Sequence, residues 1–286
     1  MKISIDREKC TACGRCVEVC NINFSEGEDG KPAVPDPPGP CILCGHCLAV
    51  CPVGAITHTG LAGTGFDPPG RRPTYEELMA LLESRRSRRE FTEKPLSEGE
   101  IASLLAAAAQ APNGCNKRNV CYTVVTDKAV LKELSLKVGK QTGWLADKLE
   151  SPVWRAALNL VWGRTLKEFE PLLPLLKPMA EETLKGHDMV LYHAPCAILI
   201  HTSKYNTCGA EDAVYCGANI LLAAETLGLG TCVIGFLTEP INNDRGLREL
   251  VRVPKDHKVR TSIIVGHPAF GYSQGVRRPS PEPTRI

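Results

Sequence analysis

The chain has almost no excess of charge: its 286 residues carry 34 Lys and Arg against 32 Asp and Glu, a formal net charge of +2. That balance gives no argument for a nucleic-acid partner, which is held through clustered basic residues. A long apolar run is also missing. The longest stretch without Asp, Glu, Lys or Arg runs from Pro37 to Phe66, and it is full of proline, glycine and cysteine, which excludes a membrane span there. Elsewhere charges interrupt the apolar runs well before the length a span requires. No secretory leader is visible, so a cytoplasmic protein is expected. A strand–GxGxxG–helix unit is absent as well. Gly60, Gly63 and Gly65 lie in a Gly/Pro-rich linker, a context that argues against a resident nicotinamide dinucleotide. No acid–base motif stands out, and no catalytic side chain is assigned.

What the chain does have is cysteine, fourteen in all. Eight fall in two runs, Cys10-x-x-Cys13-x-x-Cys16-x-x-x-Cys20 and Cys41-x-x-Cys44-x-x-Cys47-x-x-x-Cys51-Pro52. This spacing matches the ligand runs of bacterial two-cluster ferredoxins. A short loop that curls around a cubane can offer three thiolates to three irons, but it does not easily reach the fourth. The last cysteine of each run is therefore expected to serve the neighbouring cluster. On that logic one 4Fe–4S cluster takes Cys10, Cys13, Cys16 and Cys51, and the other takes Cys41, Cys44, Cys47 and Cys20. Gly14 and Gly45 follow the second cysteine of each run, where the backbone must pass close to the inorganic core. Structural zinc usually takes CxxC pairs separated by a longer loop, and disulfides need an oxidising compartment. Iron–sulfur is the reading adopted. The six other cysteines, Cys115, Cys121, Cys196, Cys208, Cys216 and Cys232, fit a reducing cytoplasm.

The two runs form an internal repeat, each expected to carry a short helix after its ligand loop. Gly27 to Pro40 reads as a surface loop, and Ala55-Ile56-Thr57 as a strand that closes the unit. These features divide the chain into a cluster domain over 1–60, a linker over 61–73 and a second domain over 74–286. In the second domain Thr74 caps a helix carrying Leu78, Met79, Leu81 and Leu82. Ser97 and Glu100 form a capping box for an alanine-rich helix to about Gln110. Val120 to Thr126 reads as a strand followed by helix from Asp127, and Pro195 to His201 as a buried strand. Ala213 to Leu227 is apolar on nearly all sides, a helix for a core or a subunit interface, ended by Gly228 and Gly230. Strands over Thr231–Leu237 and Val259–Val265 complete a small sheet. Helices and strands intermix without a βαβ rhythm, so the fold class is α+β.

Four local features of the second domain need a reason. Arg85-Arg86-Ser87-Arg88-Arg89 follows the first helix; alone, it is a solvated basic end that suits the helix dipole. Ala111-Pro112-Asn113-Gly114-Cys115-Asn116 is, alone, a turn. Val233-Ile234-Gly235-Phe236 ends a strand that follows a buried helix. Val265-Gly266-His267-Pro268 leads to a tail bearing Arg277 and Arg278. As a set and in this order, from about Tyr75 to the C-terminus, they resemble the FMN-dependent nitroreductase family.

That resemblance implies an FMN phosphate held by Arg85, Ser87 and Arg89, with Arg86 beside them and Arg277 or Arg278 from the tail. A phosphate dianion suits forked guanidinium donors and a hydroxyl. It further implies that Asn116 hydrogen-bonds the flavin ring and that the backbone at Ile234 and Gly235 lies against it. Asn113-Gly114-Cys115 is not the commonest form of this turn, and Cys115 itself reads as a small packed residue. Family members are homodimers with FMN at the interface, which would suit the helix from Ala213. The excursion from Trp144 to Lys185, with Trp144, Trp154, Trp162 and Phe169, corresponds to the family's flavin-covering region; ordinary packing explains any single tryptophan as well. His193 and His201 flank a buried strand and read as structural residues.

The expected protein is thus an α+β chain with a small two-cluster ferredoxin-like domain followed by a nitroreductase-like FMN domain, a mixed sheet flanked by helices. Its expected cofactors are FMN and two 4Fe–4S clusters. A cluster moves electrons singly, whereas reducing a nitro group or an activated double bond takes a pair, and FMN joins the two regimes. The expected function is reduction of a small organic acceptor, nitroaromatic, quinone or activated double bond, with electrons entering through the clusters. The donor would be a ferredoxin or NAD(P)H. Two rivals remain: a non-catalytic electron-transfer or redox-sensing module, and a flavin-dependent dehalogenase of the same fold.

Overall fold

A computed structural model describes residues 1–62 and 70–286. Gly63, Gly65 and the middle of the expected linker lie outside the described residues. The described chain forms two compact units, Met1–Pro73 with Cys115–Lys117, and Thr74–Gly114 with Arg118–Ile286.

In the first unit, β1 (Ile3–Ile5) leads through the first cysteine loop to α1 (Arg15–Val19). A small hairpin follows, β2 (Ser25–Glu26) and β3 (Pro32–Ala33), the second strand of it inside the segment expected to be loop. The second cysteine loop leads to α2 (His46–Val50) and β4 (Ile56–His58). The outer strands close on each other antiparallel, with Ile3 opposite His58 and Ile5 opposite Ile56. Each five-residue helix begins at a left-handed glycine, Gly14 at φ 70° and Gly45 at φ 77°. The residue before the second cysteine of each run is left-handed too, Ala12 at φ 54° and Leu43 at φ 58°. L-residues adopt that conformation only where the surroundings hold them in it. Its repetition in both loops makes two matching concavities, since alternation of backbone handedness turns successive N–H groups inward. Ile3, Phe24 and Ile56 form the apolar centre with Cys16 and Cys47.

The second unit opens with α3 (Tyr75–Ser84) and α4 (Glu98–Ala109), then β5 (Cys121–Val125), α5 (Lys128–Glu150), α6 (Pro152–Phe169) and α7 (Leu173–Lys185). It continues with β6 (Cys196–Ser203), α8 (Gly209–Thr226), β7 (Gly230–Val233), α9 (Gly235–Asn243), α10 (Arg245–Leu250) and β8 (His257–Gly266). Thr74 and Ser97 cap α3 and α4 in full capping boxes with Glu77 and Glu100. The four strands run in the order β5-β6-β8-β7, and each pairs antiparallel with its neighbours. A parallel element joins them as an isolated bridge between Ser87 and Thr231. Strand β6 is buried along almost its whole length. Ala197 and Leu199 pack on one face with α5, α9 and α10, while Ile198 and Ile200 pack on the other with α4 and α8.

Two expectations change. The strand placed over Thr231–Leu237 stops at Val233, and Gly235–Asn243 is helix. Leu237 and Ile241, one turn apart, are fully buried on its inner face, and burying each contributes about 1.5–3 kcal/mol. A helical period of four reaches the core where a strand period of two would not. The α8 helix is buried on one side only, through Ala213, Cys216, Ile220 and Ala224, while Val214 and Tyr215 are exposed. The tryptophan-bearing excursion is helical, with Trp144 and Trp154 exposed; the side chain of Trp162 is outside the described residues. Among the described residues no helix is long and apolar enough to cross a membrane.

Candidate functional site

The first unit gathers its cysteines into two groups. Cys10, Cys13 and Cys16 line a cleft together with Cys51 from the end of the other run. The second group centres on Cys47, whose thiol is pushed up to about 11 by burial first and then by the negative charge that Cys20, Cys44 and Cys41 would place beside it. Burial likewise pushes Cys16 up, whereas backbone hydrogen bonding at Arg15 leads the lowering of exposed Cys13. Four thiols converging on one point are costly to ionise together unless a cation compensates them. An inorganic iron–sulfur core is such a cation set, and the donor chemistry fits it.

Several groups already point at the sulfurs. The Ala55 N–H donates to Cys51 Sγ at 3.2 Å, and the Leu43 N–H to Cys41 Sγ at 3.3 Å. His58 was not singled out from sequence, yet it is buried on β4 with Nε2 3.5 Å from Cys41 Sγ. No spacing rule could have found it, because it reaches the sulfur only after β4 folds back on β1.

In the second unit the arginine segment is extended rather than helical. Its bridge between Ser87 and Thr231, with the Arg88 N–H donating to the Thr231 carbonyl at 2.8 Å, lays it along the outer edge of β7. The close approach explains Gly230 and its register partner Gly266. A Cβ on Gly230 would lie 2.9 Å from Arg88 Cβ, and one on Gly266 2.7 Å from the Phe91 ring. Side chains of an extended segment alternate, and here they divide in function. Arg88 turns into the protein, stacks its guanidinium 4.0 Å from the Tyr272 ring centre and donates to the Phe270 carbonyl. Arg85, Ser87 and Arg89 gather instead around the Cys232 thiol. Burial pushes that thiol up, while the Arg89 charge, hydrogen bonds with Ser87 and Arg89, and the Arg85 charge all pull it down. Arg86 keeps Nη2 buried without a hydrogen-bond partner.

The other expected residues are placed as follows. Ile234 is buried, with its N–H on the Ser262 carbonyl at 2.9 Å, and Gly235 starts α9 with open space where a Cβ would stand. Arg277 is exposed, and its Nε is 3.2 Å from Glu83 Oε2, which brings the tail back to the end of α3, two residues before Arg85. Arg278 is exposed. Asn116, at φ 52°, lies with the first unit and donates from Nδ2 to the carbonyls of Ile42 and Leu43 at 3.0 and 2.7 Å. Three motif donors at one point beside an open glycine edge suit an anionic group carried by a flat ring system.

Residues 82–267 match the nitroreductase family model. The chain belongs to the nitroreductase family. Residues 9–56 separately match a 4Fe-4S dicluster domain. Among relatives of this chain, an FMN reductase [NAD(P)H] of Bacillus subtilis is 27% identical over 203 residues, 71% of this chain and 70% of that protein. An iodotyrosine deiodinase of Haliscomenobacter hydrossis is 22% identical over 210 residues, 73% and 87% of the two chains. A solved nitroreductase with bound FMN from Bacteroides fragilis superposes with a TM-score of 0.55 at 21% identity, over 73% of this chain and 98% of its own.

Proposed function

We propose that this nitroreductase is an FMN-dependent oxidoreductase that uses electrons received through its own dicluster domain to reduce a small organic acceptor. The observation that carries the reading is the convergence of Arg85, Ser87 and Arg89 on one point of β7, in a chain whose other unit collects eight cysteines into two groups of four. Bound in these places, the clusters supply one-electron transfer, and FMN supplies exchange between single electrons and electron pairs.

The chain's own residues do the holding. Arg85 and Arg89 present guanidinium donors and Ser87 a hydroxyl to the FMN phosphate, with Arg277 on the tail adding charge at the margin. Arg88 anchors the segment from behind, so the donors are arranged before the ligand arrives; preorganisation of this kind removes an ordering cost from binding. The backbone at Ile234 and Gly235 offers a surface without a projecting Cβ for the ring. Asn116 keeps its Nδ2 group on the Ile42 and Leu43 carbonyls of the first unit, so the ring-edge role expected of it is not part of this proposal. Cys10, Cys13, Cys16 and Cys51 hold one cluster; Cys41, Cys44, Cys47 and Cys20 hold the other. Val214 and Tyr215, exposed beside the buried face of α8, suit a homodimer contact.

Anaerobic turnover tests the proposal. Protein supplied with reduced ferredoxin, NADH or NADPH should reduce a nitroaromatic, a quinone or an enone, with about eight irons and one FMN per chain. Electron uptake with none of these reduced would mean a relay. Release of halide from a halophenol in preference to the other substrates would mean dehalogenation, the activity named for the deiodinase relative.

A further inference from the structure

Away from the cysteine loops and the arginine segment, a third constellation sits at one end of the sheet. Cys121 on β5, His201 on β6 and His257 on β8 bring their ligand atoms within 4.8 Å of one another. They come from three adjacent strands and from positions 80 and 56 residues apart, so no local motif announces them. We propose that Cys121, His201 and His257 form a zinc site that ties the ends of β5, β6 and β8 together.

The geometry argues for it in three steps. Cys121 is the direct antiparallel partner of His201, and residues opposite each other across a ladder project on the same face. His257 would not share that face in a regular sheet. Ile200 pairs with Thr261 but His201 pairs with Val259, so Arg260 is an extra residue on β8. This bulge reverses the alternation of the strand. Beyond it, Val259 packs in the α5-side core, whereas Ile263 and Val265 pack on the opposite face. His257, two residues before Val259, shares its face and arrives beside His201. Bulges re-aim side chains in this way and recur next to functional sites.

The second step is the chemistry of the trio. Thiolate and imidazole are the donor types of zinc, and three protein ligands with one open position is an established pattern. Tetrahedral bonds of about 2.0–2.1 Å to nitrogen and about 2.3 Å to sulfur place ligand atoms roughly 3.3–3.6 Å apart. The two Nδ1 atoms are 2.8 Å apart and the three ligand atoms lie within 4.8 Å of one another, so the rings part by about half an ångström and the widest separation closes by about an ångström when zinc binds. Water would fill the fourth position.

The third step is the neighbourhood. His201 is buried, and its Nε2 is 3.2 Å from Thr123 Oγ1. Thr123, two residues along β5, lies on the same face, and an imidazole held at its far nitrogen is fixed in orientation and tautomer. With Nε2–H given to the hydroxyl, the Nδ1 lone pair faces the metal. His257 moves its proton to Nε2, the Cys121 thiol releases one proton, and zinc takes their place. No oxidation or reduction is involved. The cysteine and the two histidines, each idle on its own, thereby acquire one role.

Zinc retention in the anaerobically purified full chain tests this, with iron and flavin counted in the same sample. After exchange against excess zinc and gel filtration, the wild type should keep about one zinc per chain, the stoichiometry of one three-ligand site. Cys121→Ser and His257→Gln should each lose it while iron and flavin stay at the wild-type level, which also shows that the variants fold. Zinc K-edge absorption on the wild type should give a shell of one sulfur with nitrogen and oxygen neighbours. No zinc retained by the wild type, unchanged zinc in both variants, or an all-sulfur shell that places zinc among the cluster cysteines would each overturn the site. None of these outcomes depends on turnover or on the acceptor.

Discussion

His58 and Cys41 meet 3.5 Å apart, Nε2 against Sγ. The Gly60 N–H donates to His58 Nδ1 at 3.1 Å, which makes Nδ1 an acceptor and leaves the N–H on Nε2, directed at the sulfur. A donor to a ligand sulfur stabilises the more negative, reduced cluster and raises its potential. His58→Phe should lower the potential of the cluster held by Cys41 and leave the other unmoved. A differential hydrogen-bond contribution of about 1 kcal/mol corresponds to about 40 mV for one electron. An EPR-monitored redox titration reads both clusters separately; equal potentials in variant and wild type would mean that the His58 N–H does not tune the cluster.

Flavin binding should depend on the parity of the arginine segment. Arg85→Ala and Arg89→Ala each remove charge-assisted hydrogen bonds to phosphate, about 1.5–3 kcal/mol, or on the order of 10- to 150-fold in FMN affinity. Iron content should not change. Arg88→Ala should act differently, lowering thermal stability through the lost contacts to Phe270 and Tyr272. FMN titration by fluorescence together with thermal unfolding separates the two effects, and full flavin retention in the Arg85→Ala, Arg89→Ala double variant would refute the phosphate assignment.

The proposed crossed ligation would make the clusters interdependent. Cys51→Ser and Cys20→Ser should each disturb the cluster built mainly by the other run, and, because the loops share one small apolar centre, lower the yield of both clusters. Iron analysis and EPR of the anaerobically reconstituted variants check this. A Cys51→Ser protein that lost only the cluster of Cys41, Cys44 and Cys47 would show that each run serves itself.

The α4 cap should give a pH-dependent increment of stability. The Ser97 N–H and hydroxyl both reach Glu100 Oε2, at 2.7 and 2.8 Å. The backbone bond first, then the hydroxyl, hold the Glu100 carboxyl below the usual glutamate value. A group lowered on folding stabilises the protein above its unfolded pKa, and the benefit disappears as pH falls through the folded value. Glu100→Gln should therefore melt a few degrees below wild type near neutrality, the scale expected for about 1 kcal/mol at a cap, and the gap should close in acid. Melting curves at several pH values decide it; a constant gap would mean that ionised Glu100 contributes nothing.

Features that depend on neighbours in the chain were legible from residue order. The cysteine runs, the glycines that follow them, the cap at Thr74, the capping box at Ser97 and the apolar β6 strand are all set within a few residues, where spacing translates directly into geometry. The strand expected over Thr231–Leu237 ends at Val233; a short apolar run looks alike in a strand and in a buried helix. Only packing against the sheet shows that Leu237 and Ile241 face inward together.

Residue order by itself determined that two groups of cysteines of iron–sulfur type precede a domain with a basic phosphate-like motif, since each is a local pattern of donor chemistry. Tertiary structure decided what those patterns meet. It brought His58 to Cys41 through the β1–β4 pairing, separated Arg88 from Arg85, Ser87 and Arg89 through the bridge to Thr231, and delivered His257 to His201 through one extra residue at Arg260. Strand pairing joins residues far apart in the chain, and a single-residue change of register turns a side chain to the opposite face. Those are properties of the folded sheet and of no single segment within it.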